Sequence, residues 1–217
     1  MRVDDKSKIR RFFIDIYGVL LGAPLFLMLK ILSLTCKVTI TEKGLRKDKN
    51  YIYCFWHQNF ILWFTSFISH PKGHSWMGHP AWYMKPIFVC LHLMGVKDII
   101  LTPPGRKGVE AALVLKKRLL EGASSVIAVD GPYGPIEVAK NGYLHLALES
   151  GVALIAVSFK VSKAYRLPFS WDKKWVPAPF SKIEVLMEEA VYVGNDNFER
   201  VKKSFPKRLA HKMGQSI

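Results

Sequence analysis

Apolar residues along the chain follow two periods, and segments of the two kinds alternate. Short continuous or alternating apolar runs are typical of strands, and the longer amphipathic or buried runs are typical of helices. The predicted strands are 37–44, 51–56, 96–101, 124–129, 153–161 and 182–188. The predicted helices are 59–69, 86–95, 108–122 and 141–151. Because strands and helices alternate, we predict an α/β fold with a mostly parallel central sheet flanked by helices.

Proline, glycine and asparagine mark the ends of these helices. Pro86 fits the first turn of its helix, and Gly95 fits the position where that helix stops. Gly122 and Gly151 end the next two helices, and Asn141 is a plausible N-cap.

The apolar run at 12–31 predicts a helix that associates with a membrane. It approaches the length of a membrane span, but Asp15 and Lys30 lie within it, and basic residues precede it. We expect partial insertion into one leaflet with the flanking cations on anionic lipid. A full span and an ordinary buried helix are the two alternatives.

Three parts of the chain are predicted to differ in character. They are a basic and apolar membrane-associating segment (1–35), an α/β domain (36–195), and a basic C-terminal helix or tail (196–217).

The formal charge of +15, from 32 basic and 17 acidic side chains, favours an anionic partner. Phospholipid headgroups, nucleic acid and an acidic substrate or carrier protein all qualify. Nucleic acid is not expected, because the basic residues are scattered over four segments and no helix-turn-helix or RNA-binding signature is present. The sequence does not indicate an oligomeric state.

Three loops carry the candidate chemistry, and each follows a predicted strand. In parallel sheets ligands bind outside the carboxyl ends of the strands. The loops begin at His57, at "TPPGRKG" (102–108) and at "DGPYGP" (130–135). If the strands are neighbours, then His57, Arg106, Lys107 and Asp130 face one crevice.

His57 lies within an aromatic and aliphatic run, "YIYCFWHQNFILWF". An imidazole there could act as a general base and remove the proton of an alcohol that attacks an acyl group. The alternative is a core histidine whose nitrogens bond to the backbone.

The other two loops each have a functional and a structural interpretation. Arg106 and Lys107 precede a helix N-terminus and could bind a phosphate or carboxylate, or the loop could be a solvated turn. Asp130 could orient His57 or accept a hydrogen bond from a substrate hydroxyl, or it could cap a rigid turn.

Remaining motifs give weaker signals. His70, His74 and His79 are expected in a solvated loop rather than at a metal, because no cysteine or carboxylate accompanies them. Trp76, Trp82, Tyr83 and Met84 could line an acyl groove, dip into the bilayer interface, or pack in the core. A serine hydrolase is not expected, since the chain has no G-x-S-x-G motif.

The chain resembles the lysophospholipid acyltransferase superfamily, and most of all its bacterial branch once called domain of unknown function 374. The resemblance is carried by "FWHQ" (55–58), the glycine-containing loop 102–108, "DGPYGP" (130–135), "ALESGVALIAVSF" (147–159) and "SWDKKWVPAPFSKI" (170–183). It implies transfer of an acyl group from acyl-CoA or acyl-carrier protein to a hydroxyl of a lysophospholipid or related lipid. It places the reaction at the cytoplasmic face of the bacterial inner membrane, without a metal or a tightly bound cofactor.

The resemblance also implies roles for single residues. The superfamily's catalytic histidine corresponds to His57, and its substrate-phosphate loop to the region of Arg106 and Lys107. Its glutamate-glycine loop corresponds to Asp130 and Gly131. The predicted substrate-binding residues of this loop are Gly131, Pro132, Tyr133 and Gly134.

The sequence departs from the superfamily at three places. Leu62 stands where an aspartate usually follows the histidine, so His57 needs another orienting partner, and Asp130 is the first choice. Tyr133 stands where the branch commonly has arginine, and "TPPG" replaces a serine-rich loop. The last two differences leave the acceptor open, and Leu62 supports one rival hypothesis, a lipid-binding or scaffold protein that kept the fold without the chemistry.

Overall fold

The computed structural model describes residues 8–68, 74–96, 98–101 and 108–209. Within these ranges the helices are α1 (Lys8–Thr35), α2 (Phe60–Phe67), α3 (Lys85–Leu93), α4 (Gly108–Leu120), α5 (Gly142–Ser150) and α6 (Phe198–Arg208). The strands are β1 (Lys37–Glu42), β2 (Ile52–Phe55), β3 (His74–Gly78), β4 (Asp98–Leu101), β5 (Ser124–Ala128), β6 (Leu154–Val161), β7 (Ala164–Arg166), β8 (Trp175–Pro177) and β9 (Lys182–Met187).

Seven of these strands form one sheet, in the order β1-β9-β6-β2-β5-β3-β4. Every neighbouring pair is parallel except β6 and β9, which run antiparallel. The predicted α/β fold with a mostly parallel central sheet and flanking helices is therefore confirmed. Strands β7 and β8 form a separate antiparallel hairpin after β6, at the carboxyl edge of the sheet.

Helices cover both faces of the sheet. Alternate residues of a strand point to opposite faces, and β2 shows the result. Ile52 and Cys54 pack in a core with residues of α4, α5 and α6. Phe55 packs on the other side with residues of α1, α2 and α3. Because both faces are buried, β2 has the nearly continuous apolar sequence that predicted it.

The predicted and observed elements differ at three points. The region of His74 and His79 was expected to be a solvated loop, but it contains the strand β3, in which Ser75 and Trp76 are buried. The hairpin of β7 and β8 had no clear alternation and was not predicted. Asn141 precedes α5 as expected but makes no side-chain capping bond, whereas Gly151 ends that helix at φ 69°.

Strands β3 and β5 part near the carboxyl edge. They pair only from His74–Ser124 to Trp76–Val126. Beyond that point β3 continues along β4, and β5 continues along β2. A gap therefore opens between the ends of the two strands.

Helix α1 packs along the domain and leaves an apolar face exposed. Its buried residues Ile14, Gly18, Gly22, Leu29 and Leu32 form a stripe at helical spacing. Gly22 fits closely against α3, since a Cβ there would lie 2.6 Å from the carbonyl oxygen of Pro86. The exposed apolar side chains are Ile9, Phe12, Phe13, Ile16, Val19, Leu20, Leu21, Leu27, Met28, Ile31 and Leu34.

Candidate active site

His57 lies where β2 ends and the chain turns into α2. It opens a short 3-10 helix, His57–Asn59, directly before α2. Its ring contacts Phe60 and Trp171, with centroid distances of 4.6 and 4.9 Å. The side chain is 18% exposed, so the imidazole is packed on its sides but open to a ligand.

The imidazole is held by Asp172, which precedes β8. Nδ1 of His57 lies 2.5 Å from Oδ2 of Asp172, whose side chain is fully buried. Nζ of Lys174 lies 2.8 Å from Oδ1 and 2.7 Å from Oδ2 of the same carboxylate. Burial alone would raise the pKa of Asp172, but the hydrogen bonds from His57 and Lys174 outweigh it and lower the pKa to about 2.

This arrangement fixes the tautomer of the neutral ring. A carboxylate only accepts hydrogen bonds. Nδ1 of His57 therefore carries a hydrogen and donates the hydrogen bond to Asp172. Nε2 then has the lone pair, and within the described part of the chain no hydrogen bond to Nε2 is found. The buried carboxylate also stabilises the imidazolium that forms when Nε2 takes up a proton.

The lowered pKa of Asp172 predicts a defined effect of acid on stability. The ionised carboxylate contributes to the free energy of unfolding above about pH 4, and the contribution is lost as the pH falls towards 2. It should be on the order of 2 kcal/mol. In denaturant titrations between pH 2 and 6, Asp172→Asn should flatten the pH dependence. Glu199→Gln, on the exposed surface of α6, should retain it. An unchanged slope in Asp172→Asn would contradict the assignment.

Asp130 does not orient the imidazole, contrary to our first choice. Its side chain is buried, and its two carboxylate oxygens accept backbone hydrogen bonds from His57 at 2.8 Å and Glu137 at 3.0 Å. Both oxygens are therefore engaged with the protein backbone. Asp130 joins the start of the 130–135 loop to the turn that carries His57, so it positions the backbone of His57 and not its ring.

The glycine-rich loop packs against the histidine. A Cβ on Gly131 would lie 3.0 Å from Cδ2 of His57. A Cβ on Gly134, whose φ is 67°, would lie 2.7 Å from the ring of Trp171. Side chains at these positions would displace the rings around the imidazole. The loop thus needs glycine for the close approach of the backbone and, at Gly134, for its left-handed conformation.

A cavity of about 600 Å³ extends from His57 to the gap between β3 and β5. Gly131, Pro132 and Tyr133, three of the four predicted substrate-binding residues of the loop, line it, whereas Gly134 packs on Trp171 instead. The rest of the wall is mainly apolar, with Lys140 and the hydroxyl-bearing Tyr143 as polar exceptions, and it includes Phe60, Trp76, Met77, Gly78, Gly108, Ala112, Val126, Ile127, Ala128 and Leu146. A cavity of this size and character suits an extended apolar chain.

Several predicted residues lie elsewhere or outside the described ranges. Arg106, Lys107 and His70 are outside them. His74 is in β3, and burial lowers its pKa to about 4. His79 lines the cavity. Within the described residues no three histidine, cysteine, aspartate or glutamate side chains are grouped to hold a metal ion.

Polar side chains beside His57 form a second network. Gln58, which is 1% exposed, donates from Nε2 to Oε1 of Glu137 at 2.7 Å. Its Oε1 accepts a hydrogen bond from Nη2 of Arg166 at 2.9 Å. The guanidinium of Arg166 lies 4.5 Å from the ring centroid of Trp175. The network links the turn of His57 to the β7–β8 hairpin.

Asp172 is the site residue that sequence reasoning missed. Leu62, at the position where the resemblance called for aspartate, is fully buried in α2. The carboxylate comes instead from a residue separated from His57 by 115 positions. The available signal was "SWDKKW", a carboxylate between tryptophans within a segment that carried the resemblance.

Comparisons with known proteins support the fold. No family model matches the chain. The uncharacterized protein RP090 of Rickettsia prowazekii (strain Madrid E) is 24% identical over 168 residues, which cover 75% of this chain and 76% of the relative. The crystal structure of PlsC from Thermotoga maritima, a 1-acyl-sn-glycerophosphate acyltransferase, aligns with a TM-score of 0.53. The alignment covers 93% of this chain and 96% of the other at 15% identity. The chain therefore has the fold of that acyltransferase.

Proposed function

We propose that the chain is an O-acyltransferase that moves a fatty acyl group from a thioester to a hydroxyl of a lysophospholipid or related lipid. The single observation that carries the proposal is that His57, hydrogen-bonded to the buried carboxylate of Asp172, lines a largely apolar cavity. A base oriented by a buried carboxylate is the arrangement that activates a hydroxyl. The likeness to the fold of PlsC supports the same reaction class.

The proposed reaction needs one base and no other protein nucleophile. Nε2 of His57 takes the proton of the acceptor hydroxyl as its oxygen attacks the thioester carbonyl. The carbon–sulfur bond then breaks, and the imidazolium returns the proton to the leaving thiolate. An ester and a free thiol result, and His57 regains its starting state. General-base catalysis of this kind contributes about 10²–10⁴-fold. No step uses a metal or a bound cofactor.

The cavity would hold the acyl chain. Its largely apolar wall suits hydrocarbon, and because His57 is part of that wall, a thioester carbonyl bound at this end would lie beside the base. We propose acyl-CoA or acyl-carrier protein as the donor. The net charge of +15 favours both, since each carries phosphate or carboxylate groups.

Filling the cavity should change the chain-length preference. Ala112 lines the cavity from α4, so Ala112→Phe should block long chains before short ones. We expect the ratio of palmitoyl to octanoyl transfer to fall about tenfold or more. Leu113→Phe, at an exposed position one residue away, is the matched control and should keep the wild-type ratio. An unchanged ratio in Ala112→Phe would place the acyl chain elsewhere.

Helix α1 would hold the domain at the membrane. It is long and apolar enough to cross a bilayer, but residues from Ile14 to Leu32 also pack against the domain. We therefore favour insertion of its exposed apolar face into one leaflet. Lys8, Arg10 and Arg11 at its N-terminal end would bind anionic lipid, at roughly 1 kcal/mol for each cation near the surface. The cytoplasmic face of the bacterial inner membrane is the proposed location.

The direct test uses the purified protein, a labelled acyl thioester and a bacterial lipid extract. Mass spectrometry should find a lipid that has gained one ester-linked acyl group, together with free thiol. A protein that binds labelled lysolipid but forms no such product would instead be a lipid-binding protein. Leu62 is the best support for that rival, and the carboxylate that Asp172 supplies to the imidazole supports the acyltransferase instead.

A further inference from the structure

Arg166 is exposed, yet two contacts hold its guanidinium in place. Nη2 donates to Oε1 of Gln58 at 2.9 Å, and the group lies 4.5 Å from the ring centroid of Trp175. An exposed arginine on a free surface samples many rotamers. An arginine whose guanidinium is already held by the protein loses less conformational freedom when it binds a ligand.

Gln58 can present only its oxygen to this arginine. Glu137 accepts the hydrogen bond from Nε2 of Gln58 at 2.7 Å, and a carboxylate has no hydrogen to donate. The amide oxygen must therefore face Arg166, which only donates. Because Gln58 is 1% exposed, the orientation is fixed by burial as well as by its two partners.

Among the described residues, no carboxylate forms a direct ion pair with Arg166. The buried carboxylate of Asp172 pairs with His57 and Lys174, and Glu137 bonds to Gln58. Across the described ranges, Arg166 has no carboxylate within ion-pair distance. A held cation, with no ion-pair partner in the described part of the chain, therefore lies one side chain away from the turn of the proposed base.

We propose that Arg166 binds a phosphate group of one of the two substrates of acyl transfer. The planar guanidinium has further N–H donors beyond the one given to Gln58, and its fork matches two phosphate oxygens. Both candidate substrates carry phosphate: a lysophospholipid acceptor in its headgroup, and the CoA or carrier-protein donor in its prosthetic arm. The identity of the substrate class rests on the proposed function, but the anion site rests on the contacts of Arg166 alone.

The sequence assigned the phosphate to the loop at 102–108, of which residues 102–107 lie outside the described ranges, whereas Arg166 lies in β7. Arg166 follows β6, whereas that loop follows β4. The order β6-β2-β5-β3-β4 separates the two strand ends by four strand spacings, roughly 19 Å. The site at Arg166 lies on the side of His57 that faces the β7–β8 hairpin.

Binding of inorganic phosphate tests the site without any turnover. Trp175, beneath the guanidinium, should report saturable binding through the intrinsic fluorescence of the intact protein. Arg166→Gln should weaken binding by about 10- to 100-fold. Arg166→Lys keeps the charge but lacks the planar fork of donors. Its affinity for phosphate should lie between those of the wild type and Arg166→Gln. Arg200→Gln, at an exposed position on α6, should bind as the wild type does. Equal binding by wild type and Arg166→Gln would overturn the proposal.

Kinetics then identify which substrate supplies the phosphate. Each Arg166 variant is assayed with acyl-CoA and with a phosphate-free acyl-N-acetylcysteamine thioester, and with lysophospholipid and with monoacylglycerol as acceptor. Arg166→Gln should raise the KM about tenfold for only the phosphate-bearing form of one substrate, with kcat little changed. A defect that persists with both phosphate-free substrates would overturn the proposal. Arg166-dependent phosphate binding without any acyl transfer by the wild type would support the anion site and contradict the proposed function.

Discussion

Replacing His57 with alanine is expected to lower the rate of acyl transfer by about 10²–10⁴-fold while the protein stays folded. The imidazole is the proposed base: His57 lines the cavity, and Asp172 holds Nδ1 and leaves Nε2 for the substrate. The rate is measured as labelled acyl group transferred to lipid in reactions that contain purified protein and membranes. Thermal unfolding, followed in parallel, should show a cooperative transition for the variant.

A second histidine offers the matched control for this variant. His145 is exposed on α5, where its ring lies 5.1 Å from that of Phe198. His145→Ala removes the same atoms from a site outside the cavity, so transfer should continue at the wild-type rate. If His57→Ala transferred as fast as His145→Ala, His57 would not be the base.

Asp172→Asn should be nearly as damaging as the loss of His57. Aspartate and asparagine side chains have almost the same shape. The amide of asparagine, however, can donate a hydrogen bond to Nδ1 of His57, which favours the tautomer with the proton on Nε2. The lone pair would then no longer face the substrate. The imidazolium would also lose the buried negative charge that stabilises it. We expect a decrease in kcat of about 10²–10⁴-fold, with a smaller change in KM.

Asp98 supplies the control for the carboxylate. Asp98 bonds to Ser75 at 2.6 Å and to Arg118 at 3.0 Å, in a structural ion pair at the start of β4. Asp98→Asn removes one negative charge from the domain without touching the imidazole, so we expect lower stability but a kcat near the wild-type value. Comparable kcat losses in Asp98→Asn and Asp172→Asn would show that the effect of Asp172 is general and not directed at His57.

The sheet and the position of His57 were predictable because each follows from a local pattern. The apolar run of β2 and its polar end placed His57 at the carboxyl edge, and the register of β2 with β5 brought the loop of Asp130 beside it. Pattern alone also located the helices, since the period of their apolar residues reports the buried face.

The orienting carboxylate was not predictable in the same way. Asp172 lies in an irregular segment before β8, and nothing in its local period shows that the hairpin folds back over β2. The contact between Asp172 and His57 forms because β6 lies beside β2, so that the chain after β6 begins near His57. That position is set by the order of the strands. Asp130 was predicted to orient His57 because it directly follows a strand. At that position, however, its two carboxylate oxygens accept hydrogen bonds from backbone N–H groups.

Strand β3 shows a second limit. "HSWMG" is short and lies between proline- and glycine-containing segments. With His74 and the flanking His70 and His79, this pattern predicted a loop. Its backbone pairs with β4 and β5 on both sides, and the side chain of Trp76 is buried against Phe60 and Phe64 of α2. Tertiary pairing thus overrode a weak local preference.

The central claim is that His57 and Asp172 act on acyl transfer as one unit, and a double-mutant cycle tests it most directly. Transfer rates would be measured for the wild type, His57→Ala, Asp172→Asn and the double variant under saturating donor. If the carboxylate acts through the imidazole, the double variant should transfer the acyl group as fast as His57→Ala alone. Full additivity of the two losses would contradict the account.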